Sequence, residues 1–251
     1  MGTAAAQAIP NRATAYLHPT DVSDARAIWV NPAGLASITT ASVFLDLTVG
    51  HPGGSGQLRQ LSFGFDSRGL ALSYQRDVLG GGALGHTYKV GLAGGQGPLA
   101  AGFGVALYRG GTKGTGFDMG LTYHPSAVLR FGGVIQNVGE PTVRGVKLTT
   151  TFVPGVSLQP FGSVAVFSAH ARATTEAVQG YSIGARAAFG RLGALIRLDT
   201  DRGLRRSAFA LGISIGSRKG DALGTVGTTP GDASTLDALS LYGVSLRSLT
   251  R

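Results

Sequence analysis

From residue 41 to the end of the chain, large apolar side chains recur at every second position in segments of about ten residues. Val43, Leu45, Leu47 and Val49 alternate with Phe44, Asp46 and Thr48, and Leu61, Phe63 and Phe65 with Gln60, Ser62 and Gly64. The same rhythm runs through 69–77, 88–93, 99–107, 117–123, 128–137, 147–158, 162–173, 179–189, 191–200, 205–216 and, less cleanly, 236–247, which makes about thirteen strands. A two-residue period sustained over that length excludes a helical protein. It leaves two architectures, a soluble sandwich and a membrane barrel.

The second face of each strand decides between them. It carries Gly, Ala, Ser, Thr and isolated charges, whereas a water-facing sandwich would carry many Lys and Glu. Only 14% of residues are charged against 43% hydrophobic, and soluble domains sit nearer a quarter charged. Arg130, Arg172, Arg186 and Arg197 all fall on the small, polar face. On a lipid face each would cost ~2–4 kcal/mol near the midplane. Four such placements would rival the whole ~5–15 kcal/mol stability of a typical domain. That parity is what a barrel with an apolar outside and a polar lumen requires. The charge-free stretches Val90–Tyr108 and Leu148–Ala169 are long enough for a helical span, but their Gly and Pro content makes them strand pairs instead.

The connections point the same way. Tight links DSRG (66–69), GGQG (94–97), HPSA (124–127), QPFG (159–162) and Gly190 alternate with longer ones at 50–57, 77–85, 109–115, 138–146 and 174–178. Short turns at one rim and long loops at the other are the asymmetry of outer-membrane barrels, with the short turns periplasmic. The pattern puts the N-terminus on the periplasmic side. It fails at 217–235, which is long where a turn belongs, and an odd strand count does not suit a closed bacterial barrel. Either a strand is hidden there or the chain stops early.

The first 36 residues differ from everything after them. DVSDARAIWV (21–30) reads as a short amphipathic helix that Asp21 or Ser23 would cap. Asn31-Pro32 should stop it, because the residue before proline avoids helix, and Ala33-Gly34 should turn tightly against a barrel wall. The run DARAIWVNPAGLA (24–36) resembles the N-terminal signature of outer-membrane barrels of the FadL and PorV/PorQ group, and GGVIQNVGEP (132–141) resembles a second piece of the PorV/PorQ-like pattern. The resemblance implies a barrel of about fourteen strands whose N-terminal segment plugs the lumen, with Asp24, Trp29, Asn31, Pro32 and Gly34 in the plug or hatch. The chain is short for that group and ends SLRSLTR rather than in an aromatic residue, so a continuation beyond Arg251 is expected. Ala6-Gln7-Ala8 resembles the end of a signal peptide without its charged and apolar regions.

Other motifs are declined on context. GGGALG (80–85) fits G-x-G-x-x-G, but the strand HTYKVGL follows it where dinucleotide binding needs a helix. GYSIG (180–184) and GISIG (212–216) fit the nucleophile-elbow pattern inside alternating strands, where no sharp turn exists. His18, His51, His86, His124 and His170 lack metal-ligand spacing, and cysteine is absent. The net charge of +9 is scattered, without the basic tract that nucleic acid requires.

The expectation is therefore an all-β, transmembrane, antiparallel up-and-down barrel of 12–14 strands with a short N-terminal helical segment. Residues 1–36 form a periplasmic and luminal plug, and 37–251 form the barrel in a bacterial outer membrane. No catalytic residue, metal or cofactor is expected. By resemblance the protein passes small apolar or amphipathic molecules. Its lumen-facing basic candidates Lys89, Arg130, His170, Arg172, Arg186 and Arg197 would favour an anionic head group. Phe44 and Leu195 are the apolar side chains expected inside. The expected partners are membrane lipid and a hydrophobic or anionic small molecule. The alternative is a PorV-like scaffold that conducts nothing and binds a periplasmic or secreted protein.

Overall fold

A computed structural model describes residues 11, 14–37, 41–50, 57–78, 83–110, 113–143, 146–216, 221–229 and 232–243. Fourteen antiparallel strands close into one barrel, and β1 (Ala41–Gly50) seals it by pairing with β16 (Asp232–Gly243). The wall runs in chain order through β2 (Gln57–Ser67), β3 (Leu70–Val78), β4 (Leu84–Gln96), β5 (Leu99–Arg109), β6 (Gly114–Tyr123) and β7 (Leu129–Val138). A small hairpin of β8 (Thr142–Val143) and β9 (Val146–Lys147) interrupts it. The wall resumes with β10 (Thr151–Leu158), β11 (Ala165–Thr174), β12 (Val178–Phe189), β13 (Leu192–Asp201), β14 (Arg206–Gly216) and β15 (Asp221–Thr229).

The alternation seen in the sequence becomes an inside and an outside. Leu72, Leu92, Leu121, Ile183 and Ile196 point outward and are exposed, while Phe44, Asp46, Thr48, Gln60 and Ser73 point inward and are buried. A soluble protein does not leave so many large apolar side chains bare. The barrel spans a membrane and presents them to lipid.

Two expectations on strands change. The strand hidden in 217–235 is β15, which makes the count even. The strand expected over 147–158 is two elements: β9 ends at Lys147 and β10 begins at Thr151, with β9 belonging to the hairpin above the wall. The loop asymmetry is clearest early in the chain. Arg68 (φ 52°) and Gly69 (φ 88°) make a two-residue turn between β2 and β3, with both residues left-handed as a type I′ turn needs. It then evens out: the β10–β11 link at the same rim carries a 3-10 turn (Gly162–Val164), while at the other rim β15 ends at Thr229 and β16 begins as early as Asp232. His51, Gly80–Gly82 and the final SLRSLTR lie outside the described residues.

Candidate functional site: the luminal segment and the cavity beside it

Residues 14–37 pack against inward-facing side chains of the wall. Ile28, Leu35, Val22 and Ala25 form one apolar cluster with Phe44 and Ala71. The helix α1 is a single turn, Ala27–Val30, and its N-cap is Arg26, with no side-chain cap bond. Asp21 and Ser23 do not cap it. The Asp21 carboxylate instead accepts from the backbone N–H of His18 (3.1 Å) and from Ser168 Oγ on β11 (2.9 Å). Asp24 pairs with Arg26, whose Nη1 also donates to Tyr16 Oη at 2.8 Å. Burial alone would raise the Asp24 pKa, but that guanidinium holds it below the usual carboxylate value.

Asn31 ends α1 in an extended conformation (φ −154°), and Pro32–Ser37 continue as a 3-10 helix. The Asn31 side chain is fully buried and hydrogen-bonded at both ends: Nδ2 donates to Pro19 O (2.9 Å) and Leu121 O (3.2 Å), and Oδ1 accepts from Ala33 N–H (3.1 Å). Gly34 turns against the segment's own Val22, whose carbonyl oxygen would lie 2.2 Å from an added Cβ, not against the wall. The glycines that admit the segment are on the wall. A Cβ at Gly102 on β5 would fall 2.3 Å from Pro32 C, and one at Gly120 on β6 would fall 1.9 Å from Asn31 Oδ1. Gly102 and Gly120 are direct cross-strand partners, so Asn31-Pro32 sits on a patch of bare backbone.

Side chains fasten the middle of α1. Trp29 Nε1 donates to Ser73 Oγ on β3 at 2.7 Å. Lys89 on β4 donates to Asp118 on β6 (2.6 Å) and to Ile28 O (3.3 Å), and its ammonium lies 5.0 Å from the Trp29 ring centroid. Lys89 is thus a structural cation. Arg197 on β13 is a second one: Nη1 donates to Leu17 O (2.7 Å) and Nε to Asp199 (2.8 Å). His170 meets His18 through their Nδ1 atoms at 2.9 Å, so one ring carries the Nδ1 hydrogen and the other accepts it. Burial pushes the His18 pKa down to about 4. Arg130, Arg172 and Arg186 point into the lumen and make no ion pair with a described carboxylate.

A cavity of about 170 Å³ opens beside the segment, in the half of the barrel nearer the β7–β10 loop. Leu17, Trp29 and Val30 from the segment and Val153 and Ala208 from the wall give it an apolar side; His170, Arg172 and the Arg197–Asp199 pair give it a polar one. Phe44 and Leu195 do not line it: Phe44 is fully buried in the apolar cluster and Leu195 packs against that cluster. Its apolar surface comes largely from the segment, which strand parity alone could not show. Lys89, Arg130 and Arg186 also lie away from it.

The wall beside the cavity is interrupted. β10 and β11 pair at Thr151↔Thr174 and Phe152↔Ala173, then resume in the same register at Gly155↔His170, leaving Val153 and Pro154 unpaired on that side. On the other side both residues pair with β7. Proline has no N–H to give to a ladder. On the lipid side, from Val156 towards the short-turn rim, an apolar groove of about 510 Å³ runs between Leu158, Phe167, Ile183 and Leu198.

No protein-family model matches the chain, and no curated protein matches it. Among solved structures, the toluene transporter TodX of Pseudomonas putida aligns with a TM-score of 0.61 at 11% identity, over 90% of this chain and 94% of that one. A second structure of the same transporter gives 0.59 at 11% identity, over 92% and 96%. A deltaS2 mutant of the TodX monoaromatic hydrocarbon channel gives 0.57 at 10% identity, over 92% and 96%. At such identity the likeness is one of fold: this chain has the architecture of an outer-membrane β-barrel.

Proposed function

We propose that the protein is a passive channel of the bacterial outer membrane, with its N-terminus periplasmic, and that it passes small apolar or amphipathic molecules. The observation that carries this reading is the cavity, which adjoins both the luminal segment and the lapse in the β10–β11 ladder. At about 170 Å³ it is smaller than the roughly 300 Å³ at which ordinary ligand pockets begin. It suits a one-ring molecule better than a long chain, in keeping with the toluene that TodX is described as transporting. Arg172 is the cation free to hold a carboxylate there. Segment 24–36 acts as a hatch of the FadL or PorV/PorQ kind, and a molecule leaves sideways past Pro154 into the external groove.

Uptake of benzoate and toluene into proteoliposomes tests this. Wild-type protein should pass both, and Pro154→Val, which restores the missing N–H, should slow passage about tenfold, the effect of ~1.4 kcal/mol on a barrier, without loss of the folded barrel. Uptake no faster than in empty liposomes would refute a channel and return the scaffold reading with a periplasmic or secreted protein partner.

A further inference from the structure

The outer wall is apolar nearly everywhere, but β3, β4 and β5 carry a row of basic side chains on their lipid-facing side near the loop rim. Arg76 pairs directly across the sheet with His86, and His86 with Arg109. All three share the outward parity of Leu72, Val90 and Leu107 and are half-buried. Asp77, beside Arg76 in the chain, points inward and accepts from Gln60 and Gln75 (both 2.9 Å). Neither arginine, nor His86, has an ion pair with a described carboxylate.

Cross-strand partners have Cβ atoms about 5 Å apart, and like charges placed so repel. Two guanidiniums therefore flank an imidazole with no anion between them. Arg76 Nε is buried and has no hydrogen-bond partner. One Arg109 nitrogen donates to Tyr108 O (2.7 Å), leaving the rest of its fork free. Tyr74 Oη lies 2.8 Å from His86 Nδ1. With the hydroxyl donating, Nε2 is the ring nitrogen that carries the hydrogen. Every group in the row thus offers a donor, and among the described residues the only acceptors it meets are the backbone carbonyls of Tyr108 and Gly114, both at Arg109 Nη1.

The height of the row on the barrel narrows the acceptor. The 11 residues of β5, rising ~3.3 Å each at a tilt of ~40°, climb roughly 25 Å from Leu99 to Arg109, the height of the apolar band of such barrels. Directly below the row lie Phe63, Tyr74 and Tyr88, with ring centroids 5.3 and 5.2 Å apart. They form an aromatic girdle of the kind that marks a membrane interface. The row stands where lipid head groups begin, and arginine forks bind phosphate in two-point fashion.

We propose that the outward face of β3–β5 at the loop rim binds the phosphate of a phosphorylated lipid in the leaflet at that rim. Arg76 and Arg109 hold the phosphate oxygens, His86 Nε2–H adds a third donor, and the acyl chains lie over Tyr88 and the leucines below.

The intact protein in non-ionic detergent, mixed with diphosphoryl lipid A or its fully dephosphorylated counterpart, is assayed by native mass spectrometry for retained lipid. The phosphorylated lipid should be retained at least about tenfold better, the equivalent of ~1.4 kcal/mol. Arg76→Gln with Arg109→Gln should abolish that preference, while Arg186→Gln in the lumen should keep it. Equal retention of the two lipids by the wild type overturns the proposal without any variant, as does an unchanged preference in the double variant. Loss of retention on adding inorganic phosphate alone would also overturn it, by marking an ion site rather than a lipid surface. Should the glutamine pair fail to fold, Arg76→Lys with Arg109→Lys keeps the charge, and loss of the preference there still supports two-point phosphate binding.

Discussion

The luminal segment meets the two sides of the barrel by different means. Towards β4–β6 it lies directly on the bare backbone of the wall: Asn31 and Pro32 press on Gly102 and Gly120, where not even a methyl group fits, and Lys89 adds a side-chain bond to Ile28 O. Towards β11–β13 it is held at arm's length by side chains, through the histidine pair and the Arg197 bond to Leu17 O. The cavity lies on that second side. A contact made of bare backbone has one geometry, whereas side-chain contacts can be exchanged for others or for water. If the segment moves as the proposed hatch, the β4–β6 side would be its hinge and the β11–β13 side its free edge.

The sharpest break in that contrast is at Lys89. Lys89→Met leaves Asp118 buried and unpaired and removes the donor to Ile28 O. Breaking a buried pair by removing one partner costs about 3–5 kcal/mol. The unboiled, fast-migrating band on SDS gels should be lost at a much lower temperature than in wild type. An unchanged transition would mean that α1 is not fastened on this side.

Gly120→Ala comes next. The new methyl would have to displace Asn31, and overpacking of this kind costs ~1–3 kcal/mol. Because the segment rather than the strand must give way, conductance in a planar bilayer should rise with little change in barrel stability. A methyl at Gly94, where an added Cβ would meet nothing within 4 Å, is the control and should change neither.

The free edge should respond to pH. His18 holds its proton only below about pH 4 when the segment is docked, against an ordinary value near 6.5. The released segment takes up a proton more readily, so docking is at full strength above about pH 6.5 and weakens as pH falls towards 4. The loss is at most about 3 kcal/mol. Burial drives the shift and Arg197 reinforces it, while Asp21 and Asp199 oppose it; His170 is the ring that faces His18. Protease cleavage within 14–21 should increase between pH 7 and pH 4.5, and His18→Gln should flatten that response.

These contrasts also show what a single sequence can reveal. Strand parity follows from the period alone, and it placed Arg130, Arg172, Arg186 and Arg197 inward, away from the lipid midplane where an arginine is costly. β15 escaped notice because its large apolar residues are only Leu223 and Val226, and Leu223 turns inward into the core, against the rule obeyed by its neighbours. The partners of the inward charges were equally hidden. Lys89 reaches Asp118 across an intervening strand, and Arg197 bonds a carbonyl 180 residues away. Parity fixes which way a side chain points, and only closure of the barrel determines what it meets.

The smallest expected effect separates a binding cation from a structural one. Arg172 lines the cavity and is exposed within it, bonded to no described residue, so Arg172→Gln should leave thermal stability within about 0.5 kcal/mol of wild type. Benzoate uptake should fall severalfold while toluene uptake stays the same, because only the anion uses the guanidinium. Arg197→Gln, by contrast, should lower stability as well, since Leu17 O and Asp199 lose their donor in a buried setting. If both substitutions slowed benzoate and toluene alike, the arginines would act only by shaping the lumen. The free edge would then be defined by packing and not by charge.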